Sequence, residues 1–475
     1  MSYVEGESRE QRVLFPEMLD DYISEENVVR FIDAFVDGLE MEDLGFDRTA
    51  PKETGRPPYD PRDLLKLYIY GYVNRIRTGR TLERECQRNV ELMWLMRKLR
   101  PDFKTIADFR KDNRKAFRGV FRQFVLLCKG LGLVAGELVA VDGSKFKAVN
   151  SGQRNFSQKK LEKRLKEIDQ KVERYLDEME RADKEDKQAE MSAAELKEKI
   201  EKLKERKGRY EELLKELKVS GERQVSLTDS DSRAMALTPK GEVSYNVQSV
   251  VDQKHHLIVQ QDVTNEGLDN HQLFLMAQST KQFLGQTQLQ VVADMGYYSH
   301  EALKQCEEAG ITAYVSKPLV SKNTSQGLFG KEKFTYQSED DCYRCPAGER
   351  LTFHFESKER KHKKFRYYWT TACLGCAIKT QCTINKKFRR IKRWEHEAIV
   401  ERVERRVRAN RPIMKLRQQI VEHPFGTIKF WNDQRHFLMK GLEKVKAEFS
   451  LSTLAYDIKR AMNVLGVRAL LAALA

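Results

Sequence analysis

The sequence predicts an α/β protein: a mixed sheet flanked by helices, preceded by a helical segment and interrupted by a helical hairpin and a cysteine-rich insertion. Three observations predict it. Between residues 221 and 320 short apolar runs of strand length alternate with amphipathic stretches. Residues 155–219 turn abruptly to Lys and Glu with a heptad repeat of apolar positions. Five of the eight cysteines fall between Cys342 and Cys382.

At 475 residues the chain is long enough for two to four domains and at least one large core. A formal net charge of +15, with 33% of residues charged, points to polyanion partners, nucleic acid before a membrane surface. No apolar stretch reaches transmembrane length, and the start, "MSYVEGESREQR", does not resemble a signal peptide. A reducing cytoplasm is therefore expected, where clustered cysteines read as metal ligands rather than disulfides.

Taken in order, residues 1–135 read as helical. Asp60 and Pro61 form an N-cap and N1 pair ahead of "LLKLYIYGYV", and Thr105 with Asp108 marks a further start. The basic stretches "NRIRTGRTLERECQRN" and "MRKLRPDFK" suit either helix-turn-helix insertion into DNA or a bundle with a solvated basic face. Residues 136–154 hold an apolar strand, Leu138 to Val141, ending in Asp142. In the hairpin, 155–220, Leu161, Leu165, Ile168, Val172, Tyr175 and Met179 form one seam, and Leu196, Ile200, Leu203, Tyr210, Leu214 and Leu217 the other. "ADKEDKQAEMSAA" supplies the turn, and the mixed charges favour a passive spacer over a DNA-contacting arm. Residues 221–320 carry the strands "SYNVQSVVD", "HHLIVQQDV", "LQVVADMGYYS" and "ITAYVSKP" with helices between them. Residues 321–392 form the cysteine-rich insertion and 393–475 the C-terminal helices.

Two strands end alike, at Asp142 and Asp294. Sites in open α/β sheets form beyond the carboxyl ends of strands, so these carboxylates can converge. Convergent carboxylates repel, and a hard divalent cation such as Mg²⁺ resolves the conflict. Glu422, near the end of a helix that Pro424 terminates or kinks, is the third acid, and Lys429 beyond it suits a phosphate.

The segments "VAVDGSKFKAVNS", "VVADMGYYS" and "IVEHPFGTIKFW" resemble those of bacterial insertion-sequence transposases of the DDE type, a cut-and-paste class with a ribonuclease-H-like catalytic domain. "GEVSYNVQSVVDQKHHLIVQQDVTNEGLDNHQL" and "GLEKVKAEFSLSTLAYDIKRAMNVL" extend the resemblance over most of residues 55–466. It implies that Asp142, Asp294 and Glu422 are the catalytic triad and hold Mg²⁺ or Mn²⁺. It also implies double-stranded DNA, as element ends and target, for a partner, a homodimer in the active complex, and a cytoplasmic, nucleoid-associated protein. Related families carry Tyr and Arg seven and four residues before the Glu; here Lys415 and Gln418 stand there, and Arg417 or Arg411 replaces the arginine toward DNA. His423 positions a water or phosphate, or caps the helix. Asp229, Asp231 and Arg233 read as structural or DNA-backbone contacts. A nuclease without strand transfer and a chain that only binds DNA are the alternatives.

Cys342 and Cys345, then Cys373 and Cys376, make two CxxC pairs of the kind that wraps a structural Zn²⁺, with Cys382 a spare or alternative ligand. The aromatic and basic run "SKERKHKKFRYYW" between them suits phosphates and exposed bases.

Overall fold

The computed structural model describes residues 18–50, 57–185, 193–235, 242–318, 322–358 and 363–474. The N-terminal run, residues 186–192 of the hairpin turn and residues 359–362 of the basic run lie outside them.

Six helices open the chain: α1 (Val28–Asp37), α2 (Pro61–Val73), α3 (Gly79–Glu85), α4 (Val90–Leu95), α5 (Phe103–Asp112) and α6 (Ala116–Gly130). Asp60 caps α2 as its sequence predicts, accepting from the Arg62 N–H at 2.8 Å. α5 starts earlier than Thr105 suggests. Asp102 is the cap, because one carboxylate oxygen reaches the N–H groups of both Lys104 and Thr105 at 2.9 Å. Every residue of α2 except Arg62 is buried, the mark of a helix wrapped on all sides.

Strand β1 (Leu138–Lys147) follows, then β2 (Asn155–Ser157) and the long helices α7 (Gln158–Glu185) and α8 (Ala193–Ser220). These helices run antiparallel, with Asp169 bridged to Lys207 at 2.7 Å and Leu161 and Leu217 in one small core. The heptad positions of both are buried or half-buried. β3 (Gln224–Ser226) pairs with β2 at the hairpin's base.

The main sheet is completed by β4 (Arg233–Ala234), β5 (Val243–Asp252), β6 (Ile258–Thr264), α9 (Gln272–Phe283), β7 (Leu289–Ala293), α10 (His300–Glu308) and β8 (Ile311–Val315). Its order is β6-β5-β1-β7-β8, with β4 sharing the outer edge of β5. β1, β7 and β8 are parallel, whereas β5 and β6 run antiparallel.

A second, antiparallel sheet stands within the cysteine-rich insertion. After α11 (Lys322–Ser325) come β9 (Thr335–Gln337), β10 (Cys342–Arg344), β11 (Arg350–Lys358), β12 (Lys364–Trp369), α12 (Lys379–Cys382) and β13 (Ile391–Trp394), and the strands pair in chain order. The chain closes with α13 (Glu397–Ala409), α14 (Arg411–Gly426), α15 (Leu442–Leu465) and α16 (Val467–Ala472).

One core runs through the first six helices, the main sheet and the C-terminal helices, from Ile23 to Leu470. Arg77, behind α2, is buried against Glu448 of α15 at 2.8 Å and donates also to the carbonyls of Asp433 and His436. The N-terminal helices are thus part of the molecule's main body.

Candidate active site

Asp142 stands inside a strand. Its parallel ladder with β7 ends one residue earlier, at Val141 opposite Ala293, but the antiparallel ladder with β5 continues to Lys147. The tip expected from the sequence is the end of one ladder only. Asp294, directly after β7, turns the chain there: its Oδ1 accepts from the Gly296 N–H at 2.8 Å. The two aspartates therefore follow the last paired residues of neighbouring parallel strands.

Around Asp142 charges of both signs gather. Burial pushes its carboxyl up to about 6; Arg417 opposes the shift, while Asp294 and Asp269 reinforce it. Arg417, on α14, approaches Asp142 to 3.8 Å. Lys429 donates from Nζ to Ser144 Oγ at 2.6 Å and to the Lys145 carbonyl at 2.9 Å, both one strand turn beyond Asp142. Burial lowers the Lys429 ammonium's pKa, with Asp142 acting against that.

Asp269 was missed by the sequence reading. It accepts hydrogen bonds from Asn246 and Gln248 on β5, each at 2.7 Å, and pairs with Lys145 at 3.5 Å. The buried Tyr297 hydroxyl donates to Gln248, closing the network. Gly143 makes room for it. A Cβ there would meet Gln248 Nε2 at 2.6 Å, Asp269 Oδ1 at 2.9 Å and the Tyr297 hydroxyl at 3.0 Å. The Asp-Gly pair thus marks close packing within a strand. The signal available was the polar alternation of Asn246 and Gln248 on a strand buried from end to end.

Glu422 lies on α14, five residues after Arg417, on a helix packed across β1 and β7. Its side chain is exposed, and among the described residues it forms no hydrogen bond or ion pair. Pro424 does not end the helix. α14 continues into a π-helical turn, Thr427–Trp431, in which the Asn432 N–H reaches the Thr427 carbonyl. That widened turn carries Lys429 inward and leaves Phe430 and Trp431 exposed.

Other sequence candidates stand apart. His423 bonds from Nδ1 to the Tyr456 hydroxyl at 3.0 Å, and Tyr456 donates in turn to the His256 carbonyl. It tethers α14 to α15. Lys415 lines a cavity of about 590 Å³ with Leu138 and Gln253, at the start of β1 and away from Asp142. Asp229 Oδ1 accepts from Tyr245 and from the Gly441 N–H, and Asp231 accepts from the Leu442 N–H, so both satisfy the free amides at the start of α15.

The two CxxC pairs are not brought together as read. Cys345, Cys373, Cys376 and Cys382 line one cavity that Cys342 does not reach. Cys342 Sγ instead donates to Gln337 Oε1 at 3.4 Å. Among the described residues no three His, Cys, Asp or Glu side chains stand arranged to hold a metal ion, and no helix is long and apolar enough to cross a membrane.

Residues 17–112 match a family model described as a transposase domain (DUF772), and residues 344–462 match one described as a transposase DDE domain. No curated protein matches the sequence. Among solved structures, a cryo-EM structure of the piggyBac transposase synaptic complex with hairpin DNA aligns over 92% of this chain and 82% of that chain. The identity is 8% and the TM-score 0.28, too low for that likeness to carry any argument.

Proposed function

On the strength of matches to a transposase domain and a transposase DDE domain, we propose that the chain is a transposase of the DDE type that binds the ends of a mobile DNA element, cleaves them and joins them to a target duplex. In the first step a water oxygen attacks phosphorus at the element end and the P–O3′ bond breaks, freeing a 3′ hydroxyl. In the second that hydroxyl attacks a target phosphodiester, and a target 3′ oxygen leaves. The observation that carries the reading is the crowding of Asp142, Asp294 and Asp269, with Arg417 and Lys429, around the ends of β1 and β7.

The strand order β6-β5-β1-β7-β8, two antiparallel strands outside three parallel ones, supports a ribonuclease-H-like catalytic domain. The donor chemistry fits a hard divalent cation: the acids are carboxylates only, and Asp142 is pushed toward its neutral form by burial and by the nearby Asp294 and Asp269, although the side chains are not gathered around one point in the arrangement described. Asp142, Asp294 and Glu422 would hold Mg²⁺ or Mn²⁺. Bound there, the ion supplies concentrated positive charge for phosphoryl displacement. Lys429, fixed by Ser144 and the Lys145 carbonyl, holds its ammonium where a scissile phosphate would lie. Arg417 offsets the charge of Asp142 before DNA arrives. Asp269 orients Lys145 through their ion pair. The net charge of +15 supports duplex DNA as the partner, and two element ends suggest a pair of chains.

Asp142→Asn, Asp294→Asn and Glu422→Gln should each abolish cleavage and joining of element ends in Mg²⁺ while end-binding persists and weakens linearly in log affinity against log salt. Near-normal turnover in any of the three removes that residue from the triad. Cleavage without joining by the unaltered chain would make it a nuclease, and binding without either a DNA-binding protein only.

A further inference from the structure

Cys382 is the cysteine for which the spacing of the two CxxC pairs leaves no role. We propose that Cys345, Cys373, Cys376 and Cys382 form a four-thiolate zinc site, and that Cys342 is not a ligand. The inference is independent of the catalytic reading, since it concerns the second sheet alone.

Backbone geometry excludes Cys342 first. Residues 342–344 are strand, paired on both sides, and side chains along a strand alternate between faces. Cys342 and Cys345, three apart, are thereby sent to opposite faces. A CxxC pair grips one ion only where the chain turns between its cysteines. Cys345 lies on the side of Tyr343, packed against the small core that also contains Cys382.

The other four thiols arrive from separate turns. Cys345 opens the tight turn before β11, where the Gly348 N–H reaches its carbonyl. Cys373 and Cys376 flank the end of the 3-10 turn Thr371–Gly375, and Cys382 closes α12. All four line one cavity of about 20 Å³, walled by Phe334, Leu351 and Ile378. That is room for about one water-sized occupant, in a lining too apolar to bind water well. No disulfide joins any of the four. Arg389 borders the same cavity, where its charge favours thiolates.

Four soft sulfur donors around a single-ion space suit Zn²⁺, which takes tetrahedral sulfur sets at about 2.3 Å and has no redox chemistry. In the arrangement described the sulfurs line the cavity without meeting at bonding distance. Closing on an ion draws them inward by side-chain rotation. The gain goes to a sheet whose fully enclosed core is small: Phe334, Tyr343, Leu351, Tyr368, Cys382 and Ile391.

The test uses the full-length chain purified without added metal. Elemental analysis should find about one zinc per chain. Alkylation read by mass spectrometry should label Cys345, Cys373, Cys376 and Cys382 together only after a chelator is added, with Cys342 unchanged. Cys342→Ser should keep the zinc and Cys382→Ser should lose it. Because Cys382→Ser can fail to fold, the alkylation pattern of the unaltered chain decides independently. Zinc-free protein with chelator-insensitive labelling overturns the site, and chelator-dependent labelling of Cys342 in place of Cys382 overturns the ligand set.

Discussion

The sheet built on β1 and the sheet built on β11 differ in what lies against their faces. Around β1, helices cover the strands, β5 is buried along its whole length, and the core extends without a break into α2 and α15. Around β11 six buried side chains form the core, and several of the other aromatic rings have a cation laid on them. Arg393 stacks 3.6 Å from the Tyr336 ring centre, Arg366 sits 4.3 Å from that of Phe353, and Arg390 lies near both Trp369 and Phe388. Such pairs contribute about 0.5–2 kcal/mol each. The first sheet can therefore hold a half-buried cluster of carboxylates and cations around Asp142, since many apolar contacts fix its strands. The second has little in reserve.

The comparison breaks most sharply at Arg77. Removing it leaves Glu448 buried without its ion-pair partner, bonded to the amides of Leu438 and Met439 and with the buried Arg110 as the remaining nearby cation. Arg77→Ala should cost about 3–5 kcal/mol, and the loss should appear in the main cooperative unfolding transition in urea. A change below about 1 kcal/mol would mean that α2 is held to α15 by apolar packing alone.

A truncation in the second core should behave differently. Leu351 is enclosed with Tyr343 and Tyr368, so Leu351→Ala should cost about 2–5 kcal/mol locally. Hydrogen exchange should then quicken across residues 335–394 and remain unchanged in β1, β5 and β7. If both sheets loosen together, they unfold as one unit and the contrast between them is only one of composition.

The same contrast explains what the sequence made legible. Strands β1, β6, β7 and β8 announce themselves by short apolar runs, and β5 by the alternation of Tyr245, Val247 and Val251 with polar residues. Capping at Asp60 was legible because it is local. The strands of the second sheet were not, since Tyr, Phe, Arg and Lys alternate there and the pattern reads as a charged loop. At the site, Asp142 and Asp294 could be found as acids at the ends of apolar runs. Asp269 could not, because it sits in the polar stretch "NEGLDN" and acquires its partners only when β5 folds beside β1. Neither could the exclusion of Cys342, for spacing does not say whether a CxxC lies in a strand or a turn.

The smallest expected effect sharpens the account of the buried sheet. Asp457 of α15 is enclosed, its Oδ1 accepts from the Ile258 N–H at 2.9 Å, and its Oδ2 has no hydrogen-bond partner among the described residues. Burial pushes its carboxyl well above the ordinary range, and the single amide offsets this only in part. Between the unfolded group's pKa and the raised folded value, the folded chain keeps a proton that the unfolded chain has released. Stability from this group is thus highest in acid and declines as pH rises through that window. Asp457→Asn keeps an oxygen for the Ile258 amide and carries no charge to bury. It should remove the decline and stabilise the protein by about 1–3 kcal/mol at neutral pH, with little change near pH 4. Urea unfolding of both proteins across that range measures the difference. Parallel curves would mean that water or a shifted helix already solvates Asp457, and that this part of the core is less closed than its packing implies.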